Sequence, residues 1–309
     1  LAGGNSYSLV YDDEKMKYNR AFAKEVYSVT KGENLFGETY TTTSTTKYEY
    51  YEGLGPNKGV YGELKSATGS STTTGTDIWG ASYETKSTTD YTIINNRAMA
   101  THVHAETTGS NLFGEKYTTI SDTDYTYEFA ESSESAWTHG KIYKIATAIT
   151  YSTTTGTDIW GASYETKSTT YYTIIHNRAL PSKVTSTTTG SNLFGESYTT
   201  TSETNYEYYE GKSGPREVLG ELKSAITTST TTGTDIWGAT YTTKSTTTYE
   251  ITNNRALAKL VTATTKGTNL FGESYTTTST TQYYYYAVEE SPHHVYGEIS
   301  GTYTDSITN

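Results

Sequence analysis

Three positions in the chain place an indole two residues after a carboxylate: Asp77 with Trp79, Asp158 with Trp160, and Asp235 with Trp237. An indole beside a carboxylate can stack on a sugar ring and accept hydrogen bonds from its hydroxyls. Three such sites on one chain would add avidity to weak single contacts. The same residues have a structural use, because Asp makes turns and an aromatic ring can plug the end of a sheet. Arg97, Arg178 and Arg255 each follow an Asn in a repeated NNRA or HNRA segment. They are expected either to brace that loop or to meet a carboxylate on a neighbouring subunit.

Other candidates are weaker. His102 and His104 flank Val103, so on a strand they share a face, the minimum for a Zn²⁺ or Cu²⁺ pair. The repeat replaces them with Glu25 and Tyr27, Lys183 and Thr185, and Leu260 and Thr262, so the pair is not reproduced. Asp122 and Asp124 offer oxygens for Ca²⁺ without the spacing of a calcium loop. No metal or cofactor is expected. Paired carboxylates drive glycoside hydrolysis, but the acids here (Glu38, Glu115, Glu196 and Glu273) are copies of one position. A reaction centre does not need fourfold duplication, and no nucleophile-elbow, phosphate-loop or dinucleotide motif is present. The expectation is a protein without catalytic residues.

These residues belong to a repeat. The run TTTGTDIWGASYETKSTT spans Thr72 to Thr89, recurs unchanged from Thr153 to Thr170, and returns with two changes from Thr230 to Thr247. A sibling, NLFGE, begins at Asn34, Asn111, Asn192 and Asn269, and the two forms alternate along the chain. Together they make a unit of about 78 residues copied in tandem. After each motif the residues alternate with period two. Tyr83, Thr85, Ser87, Thr89, Tyr91 and Ile93 fall on one face, and Glu84, Lys86, Thr88, Asp90 and Thr92 on the other. That periodicity specifies strands. The flanking glycines, Gly75 with Gly80 and their copies, are expected to supply the positive φ of a hairpin turn.

Composition agrees. Tyr numbers 32 and hydrophobic residues make up 33%, so much of the apolar surface is phenol ring on a chain rich in β-formers. A formal net charge of −11 gives nucleic acid no attractive field. No apolar run approaches the roughly 20 residues of a spanning helix, and Glu84, Lys86 and Asp90 contradict the apolar outer band of a transmembrane barrel. Cysteine is absent, so neither disulfides nor thiolate sites arise. Threonine ladders can order water, but Glu, Lys and Asp are expected to interrupt them.

The resulting expectation is an all-β fold, a tandem-repeat antiparallel meander of about 14 long strands. It would close as a flattened barrel or two-layer sandwich, with an extended single-layer sheet as the alternative. Residues 1–309 are read as one repeat domain, with 1–30 an atypical N-terminal segment containing a partial repeat, 31–286 the alternating hairpins and 287–309 an atypical C-terminal segment. The expected function is a secreted or cell-surface structural or adhesive protein that assembles with itself into filaments or layers. Multivalent glycan binding through the Trp/Asp tips is the second reading.

Overall fold

A computed structural model of the protein describes residues 4–11, 22–33, 38–53, 61–76, 80–111, 113–129, 143–191, 193–211, 218–286 and 299–309. Among them are sixteen β-strands and no helix. The described residues fall into two compact units, Leu1–Ile159 and Trp160–Asn309, and the boundary lies inside a DIWG motif rather than in a linker. The first unit contains β1 (Gly4–Tyr11), β2 (Ala23–Glu33), β3 (Thr39–Tyr50), β4 (Leu64–Thr76), β5 (Ser82–Ile94), β6 (Arg97–Ser110), β7 (Lys116–Phe129) and β8 (Tyr143–Thr157). The second contains β9 (Ser163–Ile175), β10 (Arg178–Ser191), β11 (Ser197–Tyr208), β12 (Leu222–Thr234), β13 (Thr240–Thr252), β14 (Arg255–Thr268), β15 (Ser274–Tyr285) and β16 (Ile299–Thr308). Within each unit the strands pair in chain order, all antiparallel, as hairpins require. Fourteen strands come from the repeat, and β1 and β16 come from the two end segments.

At one end the hairpins close through two-residue turns. Asn95 and Asn96, His176 and Asn177, and Asn253 and Asn254 all have φ between 49° and 62°. A two-residue turn with both residues left-handed matches the twist of its strands, and Asn tolerates that conformation best after Gly. The second Asn does more than turn the chain. Asn96 Oδ1 accepts the Leu64 N–H at 2.5 Å, and Asn254 Oδ1 accepts the Leu222 N–H at the same distance, tying these two turns back to the preceding strands β4 and β12.

Near this end one residue is skipped in the pairing of β2, β6, β10 and β14, at Lys24, Thr101, Ser182 and Lys259. These are β-bulges, and Pro181 is accommodated beside one of them. A tyrosine hydroxyl secures each bulge. Tyr50, Tyr127, Tyr208 and Tyr285 donate to the carbonyls of Ala23, Ala100, Pro181 and Ala258 at 2.6–3.0 Å. Burial raises all four phenols above their ordinary pKa, so they remain protonated donors across the physiological range.

The two sheet faces are chemically distinct. In the second unit one row across the strands reads Thr166, Thr188, Thr200, Thr231, Thr243, Thr265, Thr277 and Thr308. The adjacent row is serine throughout, apart from Ala263. Thr30 to Thr154 and Ser28 to Ser152 form the same rows in the first unit, with Ala105 as the one substitution. Charged side chains do not interrupt these rows. Glu84, Lys86, Asp90 and their counterparts occupy alternate positions and therefore point to the opposite face.

A further row alternates Tyr with Gly. Tyr40, Tyr83 and Tyr117 pair across the strands with Gly32, Gly75 and Gly109, and Tyr198, Tyr241 and Tyr275 with Gly190, Gly233 and Gly267. A methyl group at Gly75 or Gly233 would lie 2.3 Å from the ring that covers it. Gly75, Gly156 and Gly233 therefore do not serve the turns, and none has positive φ; the turn glycines are Gly80, Gly161 and Gly238, at 87° to 93°.

Neither the barrel nor the sandwich forms. Among the described residues β1 pairs only with β2 and β16 only with β15, so the meander stays open. The buried apolar side chains are Leu64, Ala67, Ala148, Leu222 and Ala225, and none is fully buried. Two apposed layers would bury a whole face of each sheet; here the Tyr/Thr face is only partly shielded, as the single-layer alternative requires. Tyr and Thr suit this arrangement because their hydroxyls are satisfied in the plane of the sheet. Thr200 with Thr231 and Thr243 with Thr265 are each 2.8 Å apart, and Ser229 with Ser245 is at 2.7 Å.

Candidate functional site

The aromatic motifs form the other end of the sheet, and each is a tight turn organised by its first residue. At Asp235 the backbone N–H donates to the Ala239 carbonyl at 2.9 Å, and Gly238 N–H returns to the Asp235 carbonyl at 3.1 Å. The Asp235 carboxylate accepts the N–H groups of Trp237 at 2.9 Å and Ala239 at 2.8 Å. This is a turn followed by one left-handed residue, which Gly238 supplies. With the backbone satisfied by Asp, the two residues between Asp and Gly have nowhere to fold back to and project outward.

Phe-type tips use the same scheme with one addition. Asn269 Oδ1 accepts from Phe271 N and Glu273 N, both at 2.9 Å, as Asn111 Oδ1 accepts from Phe113 N and Glu115 N. Unlike Asp, Asn also carries an amide donor, and Asn269 Nδ2 gives it to Glu273 Oε2 at 2.7 Å; Asn111 bonds to Glu115 in the same way. The motif pairs Asn with Glu and Asp with Ala for this reason. A Glu facing the Asp of a Trp tip would set two carboxylates together.

The outward pairs are strongly exposed. Trp160 is 65% accessible, Trp237 68% and Phe271 87%, with Ile159, Ile236, Leu193 and Leu270 open beside them. The rings do not plug the sheet end, and Asp235 does make the turn. Asp158 and Trp160 occupy the equivalent turn, with Gly161 at φ 91°. Asp77 and Trp79 lie outside the described residues. Sequence reading picked out the aromatic rings but passed over their aliphatic neighbours, although Leu or Ile precedes the ring in every copy.

Arg97, Arg178 and Arg255 open β6, β10 and β14 at the opposite end and are exposed. Each pairs through its backbone across the two-residue turn, with Ile94, Ile175 and Thr252 respectively. Positive φ in the preceding residues closes that turn.

Two motifs far apart in the sequence meet across β6 and β7. His102 Nδ1 lies 2.8 Å from Asp124 Oδ1, and His104 Nδ1 lies 2.7 Å from Asp122 Oδ1. The hydrogen bond to Asp124 raises the pKa of His102 most, and the charges of Asp124, Asp122 and Asp90 add to it. Sequence reading had each half but not the register that joins them. In the second unit this place holds Lys183 and Glu203, 2.7 Å apart, and the Lys183 hydrogen bond lowers the Glu203 pKa. Complementary polar pairing across strands is thus what recurs there. No group of three or more His, Asp and Glu side chains among the described residues is arranged to hold a metal ion.

A shallow depression at the loop end of the second unit is lined by Thr173, Ile175, Ser182, Tyr206, Tyr208 and Lys223. Some of its polar groups are already engaged: Tyr208 bonds to Pro181, and Glu207 faces Lys223 at 3.8 Å and Ser224 at 3.0 Å. No helix among the described residues is long and apolar enough to cross a membrane. The chain matches no protein-family model and no curated protein.

Proposed function

We propose that the chain is a non-enzymatic structural or adhesive protein, secreted or held at a cell surface, whose subunits join by strand pairing into filaments or layers. The observation that carries this reading is the open meander, in which β1 and β16 each pair on one side only among the described residues. An open strand edge is a template for another strand. At β16 the direction can be specified. Asn309 and Thr276 exchange both backbone bonds, at 2.8 and 2.9 Å, so the alternation of an antiparallel ladder turns the N–H groups of Thr304 and Ser306 away from β15. Exposed Arg97, Arg178 and Arg255 supply cations for contacts between subunits.

Electron microscopy tests the reading. Filaments or layers are expected from the purified chain. Ser306→Pro should shorten or abolish them, because proline removes an outward donor and leaves the bonds to β15 intact. Monodisperse monomers of the unsubstituted chain at high concentration would refute it.

The exposure of Trp160 and Trp237 favours a second reading, multivalent glycan binding by the tips. Because one carboxylate oxygen of Asp235 is committed to the turn, recognition would rest mainly on the indole. Glycan-array binding that survives joint replacement of Trp79, Trp160 and Trp237 by Ala would eliminate it.

A further inference from the structure

We propose that the Tyr/Thr/Ser face of the sheet is a docking surface for the same face of a second copy. This rests on the reading that the chain self-associates and adds a direction to it, perpendicular to growth at the strand edges.

Three observations converge. First, charge is segregated. On β11 and β13 the positions on this face are Tyr, Thr and Ser, with Ile251 near the end of β13, whereas Glu203, Glu207, Lys244 and Glu250 all sit on the other face. A chain of net charge −11 repels its copies in general, and this face is where two copies can meet without opposing like charges.

Second, drying this face is cheap for a polar surface. Its hydroxyls already bond one another along the rows, as at Thr166 with Thr188 and Ser186 with Ser202, both at 2.8 Å. A polar group that keeps its hydrogen bond loses little when water leaves.

Third, the area suffices. Eight strands about 4.8 Å apart, crossed by five inward rows about 7 Å apart, cover roughly 1,000 Å² in the second unit. A standard interface needs about 800 Å² per partner. Rings lying over Gly190, Gly233 and Gly267 keep the surface level enough for two copies to approach.

The test uses the full chain carrying Ser306→Pro, which blocks edge growth at β16 at the cost of one residue on the margin of the face, and reads association by sedimentation velocity. This chain should still form dimers. Adding Ser202→Lys should weaken the dimer at least about 100-fold, since it buries an unpaired charge, whereas Thr201→Lys, one residue away on the charged face, should change it less than about threefold. Equal effects of the two lysines would overturn the proposal, as would an edge-blocked chain that stays monomeric. That second result leaves edge assembly standing if the unsubstituted chain still forms filaments.

A readout without the lysine substitutions guards against misfolding. Tyr164 on the proposed face and Tyr171 on the other are 38% and 45% exposed in the single chain. On association, iodination of Tyr164 should fall at least about fivefold relative to Tyr171. Unchanged relative labelling in a dimer would refute the proposal.

Discussion

The two ends of each hairpin solve the same geometric problem with opposite consequences. At the two-residue turns the chain gathers what little interior it has. Leu64 and Leu222 are 8% exposed, the turn asparagines reach across to their N–H groups, and tyrosine hydroxyls secure the bulges. In the first unit Phe22 joins this end, its ring 5.0 Å from that of Tyr50. At the aromatic tips the backbone is equally well satisfied, yet the largest apolar side chains face outward. One end holds the hairpins together and the other displays large apolar side chains at the surface. Large apolar residues repeated at exposed positions are a mark of contact with something else.

The largest expected effect tests that contrast directly. Leu222→Ala should lower stability by about 2–3 kcal/mol, toward the low end for a buried leucine because the single layer can settle around the gap. Leu270→Ala, the same change at a tip, should shift the urea midpoint very little. Comparable losses at both positions would dissolve the distinction. Next, Asn254→Ala should cost about 1–2 kcal/mol, since it removes the acceptor for Leu222 N and puts a residue with little tolerance for positive φ into the turn. Hydrogen exchange should show the loss concentrated at Leu222.

A smaller contrast separates the two kinds of tip. Asn269→Asp sets a carboxylate against Glu273 and should destabilise that hairpin by about 0.5–1 kcal/mol at neutral pH, with recovery in acid. Asp235→Asn keeps the acceptor, faces Ala239, and should be nearly silent. If both changes behave alike in thermal melts, the pairing of Asn with Glu is incidental.

The smallest effect is at His102. Its folded pKa is raised, so the stabilisation is complete below the unfolded value near 6.5 and disappears as pH rises through the folded value. The pair is exposed, which limits the change to about 0.3 kcal/mol. Exchange protection of β6 and β7 should fall as the pH is raised above about 6.5 in the unsubstituted chain, and His102→Gln should remove that dependence.

Much of the fold could be read from local chemistry. Asn-Asn before Arg and Asp/Asn-x-aromatic-Gly are complete turn instructions, and period-two alternation fixed the strands between them. What the sequence concealed is lateral. Gly75 was assigned to the turn because it stands near one, whereas its role is to lie beneath Tyr83, a residue on the next strand. The threonine rows seemed interrupted by Glu and Lys because neighbours in sequence are not neighbours across a sheet. His102 and Asp124 belonged to separate motifs until pairing joined them. Closure was misjudged for a related reason: a face of Tyr and Thr can satisfy its hydroxyls within one layer, so burial beneath a second layer is not required. For the site, the tip rings were visible in the sequence but their exposure was not.

The uniformity of the rows also bears on how such a chain can change over generations. Each added strand brings another Thr and another Ser or Ala, and each added hairpin another Tyr over Gly, to the same lateral positions, so unequal recombination could insert or delete a whole module without mismatching its neighbours. Variants of different length would then keep the same faces, and the span of the sheet could drift freely while its thickness stayed constant.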